Sequence, residues 1–532
     1  MAGGSRSRVS RVAADGYTER RCMLAKVHSM GVFGIDAFPV EVEVYVTRST
    51  LPHATLVGLP DASVKESIDR VRAALRNSGF HLPTIAATVN LAPADRRKEG
   101  PVFELPIAVG LLVATDSLHI NTNARYAVVG ELALDGRVRA VNGCLSMAMK
   151  AREQGFNGLV VPMDNAREAG VVTGLDVIPV NHLTEAVGFL SGAQALKPVQ
   201  LDIDRIFQAA RSYEVDLSEV QGQHHVKRAL EVAAAGAHNI LMIGPPGAGK
   251  SMLAQRLCTV LPGLTLEESL ETTMIYSVSG LLEPGKSLMA VRPFRSPHHS
   301  VSNAGLVGGG AHPKPGEISL AHHGVLFLDE LPEFAHSALE SLRQPLEEGR
   351  VTISRAQMTV TYPTEFMLVA AMNPCPCGHY TDPRRQCRCS PRQIHTYRRR
   401  ISGPLLDRID IHVDVPPVEY RDLAASRPGE TSDTVRERVV AARARQQARF
   451  KDHRFFTNSR MQKRHVRQHC QLNDDGRLLL RQAMDTLGFS ARAYDKILKL
   501  SRTIADLEGS DAILPHHVSE AINYRTLDRR LE

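Results

Sequence analysis

Apolar and polar residues alternate over short distances in the first part of the chain, up to about Leu190. From Val40 to Val46 a valine occupies every second position, which predicts a half-buried strand. After Asp61, a suitable helix cap, apolar residues recur every three or four positions as far as Leu75, which predicts an amphipathic helix. Further strands are predicted at Thr84–Leu91, Tyr126–Val129 and Gly158–Val161, and further helices after Pro106 and over Leu145–Gln154. We therefore expect an α+β domain.

The middle of the chain carries runs of consecutive apolar residues instead. Four of them precede Gly244, four more lie within Gly324–Leu331, and Phe366–Met372 is a third run. Strands of a parallel sheet are buried on both faces and need no polar alternation, so these runs predict the central strands of an α/β domain. Val351–Tyr362 alternates around a turn near Arg355–Gln357 and predicts a β-hairpin.

From about Ser432 the pattern is that of charged, amphipathic helices. Val435–Ala448 is rich in Arg, Ala and Gln, and Ser490 is a suitable cap for a later helix with one apolar stripe. We predict a first domain over residues 20–190, a linker over 191–215, a second domain over 216–425 and a helical region over 430–532.

Length, charge and cysteine content narrow the class of protein. With 532 residues the chain has room for about three domains, and its net charge of +7 is compatible with a polyanionic partner without establishing one. Eight cysteines without an extracellular framework pattern, and no apolar run long enough to cross a bilayer, indicate a reducing cytoplasm and no membrane partner. The first twenty residues carry arginines but no apolar stretch, so we expect a disordered basic tail rather than a signal peptide.

The middle domain contains a phosphate-binding motif, G-x-x-x-x-G-K-S, made of Gly244, Pro245, Pro246, Gly247, Ala248, Gly249, Lys250 and Ser251. Its glycines let backbone N–H groups point at a phosphate chain, Lys250 would reach the β- and γ-phosphates, and the Ser251 hydroxyl would bind Mg²⁺. Asp329 and Glu330 follow a predicted strand, so Asp329 is expected to bind Mg²⁺ and Glu330 to polarise the attacking water. The expected cofactors are ATP and Mg²⁺.

Three further features leave alternatives open. Two C-x-C pairs separated by nine residues follow the third apolar run: Cys375, Cys377, Cys387 and Cys389. They could bind Zn²⁺ or be free thiols, because C-x-C is tighter than the common C-x₂-C spacing. Cys375–Arg400 holds seven arginines and one acid, which could be a phosphate-binding patch or a solvated loop. The pairs His298-His299 and His322-His323 are not expected to bind a metal, because neighbours on a strand face opposite sides.

Two stretches of the first domain, Leu91–Leu105 and Gly130–Gly143, resemble the proteolytic domain of the Lon family. In that family a serine follows the Gly-Pro pair, and a lysine from the helix after the second stretch completes the nucleophile. Here Val102 follows the Gly-Pro pair, and Lys150, the lysine of that helix, lies beyond the expected place. Valine has no atom that can attack a carbonyl, so the resemblance implies a Lon-like fold without peptidase activity.

The order of phosphate-binding loop, Asp-Glu strand, hairpin and then Asn373 resembles AAA+ ATPases that carry a hairpin before sensor 1. The resemblance implies that Asn373 is sensor 1 and that Arg408 enters the ATP site of a neighbouring subunit. Arg398–Arg400 could supply that finger instead. It also implies that Arg492, sensor 2, reaches back to the γ-phosphate from a C-terminal lid. A finger that acts in trans requires a ring.

In helicases of that group the hairpin lines a channel and contacts DNA, so Arg350 and Arg355 are candidate DNA contacts by resemblance. The alternative is a hairpin that only packs between subunits. Motifs across nearly the whole chain, including Arg292-Pro-Phe-Arg and Pro315-Gly-Glu-Ile, resemble the magnesium chelatase-like ATPases of the YifB and ComM family.

The family resemblance implies a multidomain α/β fold: a Lon-protease-like α+β N-domain, an AAA+ P-loop NTPase core with a hairpin before sensor 1, and an all-α C-terminal lid. The best-understood members are hexameric DNA motors that promote branch migration in natural transformation. We therefore expect a cytoplasmic, ATP-hydrolysing homo-oligomer, a hexamer, that acts on DNA. A protein-remodelling or chelatase-assisting ATPase and an ATP-regulated peptidase are the alternatives.

Overall fold

The computed structural model describes residues 23–51, 53–120, 124–209, 213–283, 285–310, 313–355, 358–380, 382, 384–418, 429–453 and 455–527. The chain divides into two compact units between Gln200 and Leu201, with residues 33–35 grouped in the second unit. The division lies inside the linker predicted over residues 191–215. No helix within the described ranges is long and apolar enough to span a membrane.

The first unit contains a seven-stranded sheet and a separate two-stranded one. Its strands are β1 (Met23–Phe33), β2 (Asp36–Arg48), β3 (His53–Val57), β4 (Ile85–Ala92), β5 (Tyr126–Val128), β6 (Glu131–Leu132), β7 (Val138–Arg139), β8 (Gly158–Pro162) and β9 (Asp176–Val180). The large sheet has the order β3-β4-β2-β1-β5-β8-β9, and β6 pairs with β7. Strands β2 and β4 pair antiparallel, whereas β5, β8 and β9 are parallel. The mixed sheet agrees with the α+β prediction for this region.

Five helices accompany these strands: α1 (Ala62–Asn77), α2 (Glu104–Ala114), α3 (Cys144–Glu153), α4 (Ala166–Ala169) and α5 (Leu183–Leu190). The valines at 40, 42, 44 and 46 are all buried along β2, as their spacing predicts. The Asp61 carboxylate accepts the backbone N–H of Val64 at 2.8 Å and caps α1, whose apolar stripe is buried.

The second unit is organised around a five-stranded parallel sheet with the order β11-β14-β17-β10-β18. The strands of this unit are β10 (Ile240–Ile243), β11 (Phe294–Arg295), β12 (Gly308–Gly309), β13 (Lys314–Pro315), β14 (Val325–Leu328), β15 (Arg350–Arg355), β16 (Met358–Pro363), β17 (Met367–Met372) and β18 (Ile411–Asp414). Ile240 and Met242 enter one hydrophobic cluster, while Leu241 and Ile243 enter another. Both faces of the sheet are therefore covered, which is why its strands read as unbroken apolar runs.

The helices of the second unit are α6 (Ile203–Ala209), α7 (His224–Gly236), α8 (Lys250–Val260), α9 (Leu266–Ser279), α10 (Asn303–Val307), α11 (Glu317–Leu320), α12 (His336–Ser341), α13 (Arg343–Glu348), α14 (Pro391–Arg398), α15 (Gly403–Leu406), α16 (Ser432–Arg449), α17 (Lys463–His469), α18 (Asp474–Leu487), α19 (Ala491–Leu507) and α20 (Pro515–Asn523). Ser490 caps α19 by accepting the N–H of Ala493 at 3.2 Å. Val439 of α16 and Ile497 of α19 join the cluster that contains Ile240, so the C-terminal helices share a core with the sheet.

Strands β15 and β16 pair antiparallel, with Val351 opposite Tyr362 and Arg355 opposite Met358. Val351 and Tyr362 are buried on one face, while Thr352 and Thr361 are exposed on the other and contact each other through their hydroxyls at 3.1 Å. This alternation is the one that the sequence predicts for a hairpin.

Candidate nucleotide-binding site

Three neighbouring strands of the parallel sheet end where the predicted chemistry begins. The phosphate-binding loop follows β10, Asp329 follows β14, and Asn373 follows β17. In a parallel sheet the carboxyl ends of all strands lie at one edge, so these residues meet there although they are far apart in sequence.

Lys250 lies at the centre of this edge. Its Nζ donates to the carbonyls of Gly244 (2.6 Å) and Pro245 (3.0 Å) and to the Asn373 side-chain oxygen (3.1 Å). The side chain is buried, and burial lowers the pKa of Lys250, an effect that the carboxylates of Asp329 and Glu330 oppose. The predicted loop lysine and the predicted sensor asparagine are thus in direct contact.

The loop backbone has the conformation that phosphate binding needs. Gly249 has φ +87°, in the left-handed region that glycine adopts without strain, and it is the N-cap of α8. The first N–H groups of a helix have no partner within the helix and carry a partial positive charge. The start of α8, at Lys250 and Ser251, is therefore suited to an anion.

Ser251 and Asp329 fit the coordination of Mg²⁺. The Ser251 hydroxyl donates to Asp329 Oδ2 at 2.7 Å, and Asp329 Oδ1 accepts the N–H of Glu330 at 2.9 Å. Two adjacent ligands of an octahedral Mg²⁺ lie about 3.0 Å apart, given metal–oxygen distances of about 2.0–2.1 Å. The two oxygens have the hardness and the spacing that Mg²⁺ requires.

Glu330 contacts a residue that the sequence did not connect with the site. Its backbone is left-handed, with φ +53°, and its Oε2 lies 3.3 Å from His299 Nδ1. The sequence contains no signal for this contact, because His299 and Glu330 approach only through the strand order. Gln223 was likewise missed: its Nε2 donates to the carbonyls of Ala248 (2.8 Å) and Pro416 (3.0 Å).

The predicted arginines lie at the opposite edge of the sheet. Arg408 precedes β18, and its carbonyl accepts the side-chain N–H of Asn239, the residue before β10, at 2.9 Å. Arg492 donates to Asp407 at 2.8 Å, so its side chain lies beside the residue that precedes Arg408. A four-residue strand separates the two edges by about 13 Å. The structure thus brings the two arginines together, apart from Lys250.

Arg408 and the alternative finger residues Arg398 and Arg400 are engaged with their own chain, the latter two with residues that follow β17 and β14. Arg408 forms an ion pair with Glu347, and only 12% of its side chain is exposed. Arg398 donates to the Pro374 carbonyl at 3.2 Å and lies over the ring of Tyr380, while Arg400 pairs with Glu333 at 2.6 Å. The alternative finger residues are therefore bound differently from Arg408.

The four cysteines come together. Sulfur–sulfur distances are 3.4 Å for Cys375 to Cys377, 3.7 Å for Cys375 to Cys387 and 3.6 Å for Cys377 to Cys387. With Cys389 included, all four sulfurs lie within 4.8 Å of one another. Their spacing in the sequence allowed this convergence but did not require it.

The expectation for the second histidine pair is corrected by the structure. His322 and His323 lie in a turn after α11 rather than on a strand, and both Nε2 atoms approach Glu271 Oε2, at 3.3 Å and 2.7 Å. The Nδ1 of His322 accepts the N–H of Glu365 at 2.9 Å, so the neutral ring carries its proton on the Nε2 that faces Glu271. That nitrogen has no lone pair for a metal, and a hydrogen-bonded cluster explains the site.

The two stretches that resemble Lon proteases are adjacent in the first unit. The N–H of Gly130 donates to the carbonyl of Val102 at 3.0 Å. Val102 is buried, and Lys150 instead pairs with Glu153 at 2.9 Å, so neither member of a Ser–Lys pair is found at these positions.

Comparison with known families gives three matches in succession along the chain. The family "Magnesium chelatase, subunit ChlI" matches residues 216–423, "Subunit ChlI of Mg-chelatase" matches 41–165, and "Magnesium chelatase, subunit ChlI C-terminal" matches 429–525. The chain is 46% identical over 510 residues to YifB of Escherichia coli (strain K12), covering 96% of this chain and 98% of YifB. It is 45% identical over 516 residues to competence protein ComM of Haemophilus influenzae (strain ATCC 51907 / DSM 11121 / KW20 / Rd), covering 96% of this chain and 99% of ComM.

A weaker similarity concerns the proteases. The chain is 27% identical over 165 residues to the Lon protease of Aster yellows witches'-broom phytoplasma (strain AYWB), which covers 29% of this chain and 20% of the protease. The parallel sheet, the glycine loop at the start of α8 and the Ser251–Asp329 pair define a P-loop nucleotide-binding protein. The chain belongs to the magnesium chelatase-like AAA+ ATPases of the YifB and ComM family.

Proposed function

We propose that the protein is an ATP-hydrolysing ring motor that acts on DNA, with branch migration or helicase activity in recombination or natural transformation. The observation that carries the proposal is the separation of Lys250 and Arg408 on opposite edges of one sheet. This separation supports an ATP site that a second copy completes.

The residues of the carboxyl edge have defined tasks in this proposal. Lys250 exchanges the carbonyls of Gly244 and Pro245 for phosphate oxygens, and its contact with Asn373 places that amide beside the γ-phosphate. Ser251 and Asp329 hold Mg²⁺, which supplies charge neutralisation at the phosphates when bound. Glu330 orients the attacking water and accepts its proton, and His299 holds the carboxylate in place.

Arg408 and Arg492 act on the nucleotide of the neighbouring copy. The Arg408 carbonyl contacts Asn239 at the amino edge, and Arg492 pairs with the neighbouring Asp407, so both belong to the edge that a four-residue strand, about 13 Å long, separates from the phosphate-binding loop. For Arg492 this differs from the cis role that the AAA+ resemblance implied. The ring, with six copies by analogy with the family, follows from this arrangement.

The DNA contact is proposed at the hairpin. Arg355 is exposed at the end of β15, whereas Arg350 lies at the base of the hairpin and pairs with Glu348 at 3.2 Å. The charge of Arg350 is thus partly neutralised within the chain, so Arg355 is the stronger candidate for a phosphate contact. The similarity to competence protein ComM and the net charge of +7 support DNA as the partner.

The test is the ATPase rate of the full chain without DNA and with single-stranded, duplex and four-way-junction DNA. We expect stimulation by DNA, greatest with the junction, and loss of that stimulation in Arg355→Ala. Arg350→Ala is the matched control in the same hairpin and should retain most of it. A rate that is indifferent to all three DNAs would contradict the DNA proposal.

A second candidate is a protein-remodelling or chelatase-assisting ATPase, which the three chelatase family matches favour. Under that function the ATPase would respond to a protein partner and not to DNA. Affinity capture that yields metal-inserting porphyrin enzymes, with no DNA stimulation, would favour it. An ATP-regulated peptidase is the weakest alternative, because Val102 cannot serve as a nucleophile.

A further inference from the structure

The segment after Asn373 contains a side-chain cluster that nucleotide chemistry does not use. Its four cysteine sulfurs lie within 4.8 Å of one another, and none of the four forms a disulfide. Tetrahedral zinc with Zn–S bonds of about 2.3 Å holds sulfurs about 3.8 Å apart. The distances of 3.4, 3.7 and 3.6 Å among Cys375, Cys377 and Cys387 approach that value.

The surroundings of the sulfurs suit a thiolate–metal centre. The N–H of Cys389 donates to the sulfur of Cys387 at 3.4 Å. Outer-shell hydrogen bonds of this kind orient metal ligands and stabilise their charge. Four thiolates around Zn²⁺ leave two negative charges, and the segment Cys375–Arg400 contains seven arginines and one acid. A charged centre therefore accounts for an arginine-rich segment.

We propose that Cys375, Cys377, Cys387 and Cys389 bind one structural Zn²⁺ that holds this segment against the nucleotide site. Four cysteine ligands leave no open position, so the site is structural rather than catalytic. Because a segment with little apolar content lacks a core of its own, the metal supplies the cross-link that fixes its fold.

The cluster is tied to the nucleotide site by one packing contact with the phosphate-binding loop and by the short chain segment that joins it to Asn373. Gly378 follows Cys377 and packs directly on Pro246 of the phosphate-binding loop. A Cβ on Gly378 would lie 2.5 Å from the Pro246 ring, so only glycine fits there. Cys375 follows Asn373 by two residues, and the carbonyl of the intervening Pro374 is held by Arg398 at 3.2 Å. Fixing Cys375 therefore fixes Asn373, which contacts Lys250.

The first test is the metal content of the full chain purified without added metal, measured by plasma mass spectrometry. We expect one Zn²⁺ per chain. A mercurial reagent that modifies the thiols should release it, and the absorbance of a chromophoric chelator then measures the released metal. Growth with Co²⁺ in place of Zn²⁺ should give the intense visible bands of tetrahedral cobalt thiolate. Zinc at background level, together with no cobalt–thiolate bands, would overturn the proposal. This readout does not depend on ATP hydrolysis or DNA.

Cysteine substitutions distinguish the proposed zinc ligands from the other thiols of the chain. Cys389→Ser should lose the zinc, whereas Cys389→His should retain it, because imidazole can replace a thiolate in a Cys₃His site. Cys470→Ala removes a buried cysteine in another part of the unit and should keep one Zn²⁺ per chain. Zinc retained in Cys389→Ser and in Cys387→Ser alike would overturn the four-ligand assignment.

The link to the nucleotide site has its own measurement. We expect Cys389→Ser to bind a fluorescent ATP analogue more weakly than both Cys389→His and the unmodified chain, at equal far-ultraviolet circular dichroism. Equal affinity in the three proteins, with zinc lost only from Cys389→Ser, would overturn the positioning of Asn373 and Pro246 by the metal. If the motor proposal fails instead, zinc binding and this affinity difference remain.

Discussion

The carboxyl edge and the amino edge of the five-stranded sheet differ in how their functional side chains are held. At the carboxyl edge Lys250 and Ser251 already contact the residues that are expected to share their ligand, Asn373 and Asp329. At the amino edge Arg408 forms an ion pair with Glu347, and Arg492 with Asp407. The first edge is preorganised for phosphate and Mg²⁺, whereas the second holds its cations in ion pairs with carboxylates of the same chain.

This difference implies that binding and turnover are separable. The carboxyl edge groups the residues expected to bind ATP within one chain, while in the proposed ring the charge that develops during hydrolysis is stabilised by a neighbour. Substitutions at the two edges should therefore have effects that differ in kind as well as in size, on nucleotide binding at the carboxyl edge and on turnover at the amino edge.

The largest effect is expected from Lys250→Ala. It removes the cation that contacts the loop carbonyls and Asn373, so both nucleotide affinity and turnover should fall to background. Fluorescent-nucleotide titration and a phosphate-release assay measure the two. Lys286→Ala, which removes an exposed lysine paired with Glu283, is the control and should change neither. Binding at full affinity by Lys250→Ala would contradict the assignment of the loop.

Arg408→Ala should leave ATP binding intact and slow turnover on the order of 10³-fold, the range typical of an arginine finger. Mixing Arg408→Ala with Lys250→Ala should restore part of the activity, because some interfaces then combine an intact loop with an intact finger. Each variant alone is the control. No recovery over a range of ratios, when sedimentation shows mixed oligomers, would count against a finger in trans.

Asp410→Asn should lower the free energy of unfolding, because it breaks an ion pair at the amino edge. Asp410 contacts Lys496 Nζ at 3.1 Å and His238 Nδ1 at 3.2 Å, and breaking such a largely buried pair costs about 3 kcal/mol. Denaturant unfolding should show this loss at pH 7, while Asp511→Asn, at a fully exposed carboxylate, should be nearly neutral.

The same variant tests a pH dependence. Burial raises the pKa of Asp410, but Lys496 and His238 outweigh burial and hold it below its usual value of 3.8. A carboxyl with a lowered folded-state pKa contributes stability above pH 3.8 that is lost as the pH falls further. The unmodified chain should therefore lose stability more steeply below pH 3.8 than Asp410→Asn. Parallel curves would contradict the assignment of this loss to Asp410.

The smallest effect is expected from Arg492→Ala. Its side chain is 65% exposed, and solvent screens its ion pair with Asp407, so the melting temperature should hardly change. Turnover should fall about tenfold, which corresponds to about 1.4 kcal/mol in the transition state. Arg477→Ala, at a similarly exposed arginine, is the control. A marked loss of stability without loss of turnover would make Arg492 a structural residue only.

Much of the fold could be predicted from local pattern. The unbroken apolar runs before Gly244 and within Gly324–Leu331 correspond to β10 and β14, because strands covered on both faces have no polar side. The contacts of Glu330 with His299 and of Gln223 with Ala248 could not be predicted, since they depend on which strands become neighbours. The histidine pair at 322 and 323 was misjudged because a turn, unlike a strand, allows adjacent side chains to face the same way.

The sequence by itself determined the phosphate-binding motif and the family, because each depends on residue type at fixed spacing, and it predicted Ser251 and Asp329 as Mg²⁺ ligands. The tertiary structure alone decided that four thiols converge and that Arg492 lies beside Asp407, 85 residues away along the chain. Such contacts follow from strand order and helix packing, which place residues on one edge or the other of a sheet. For this chain that choice of edge separates Lys250 and Ser251, at the phosphate-binding loop, from Arg408, before β18.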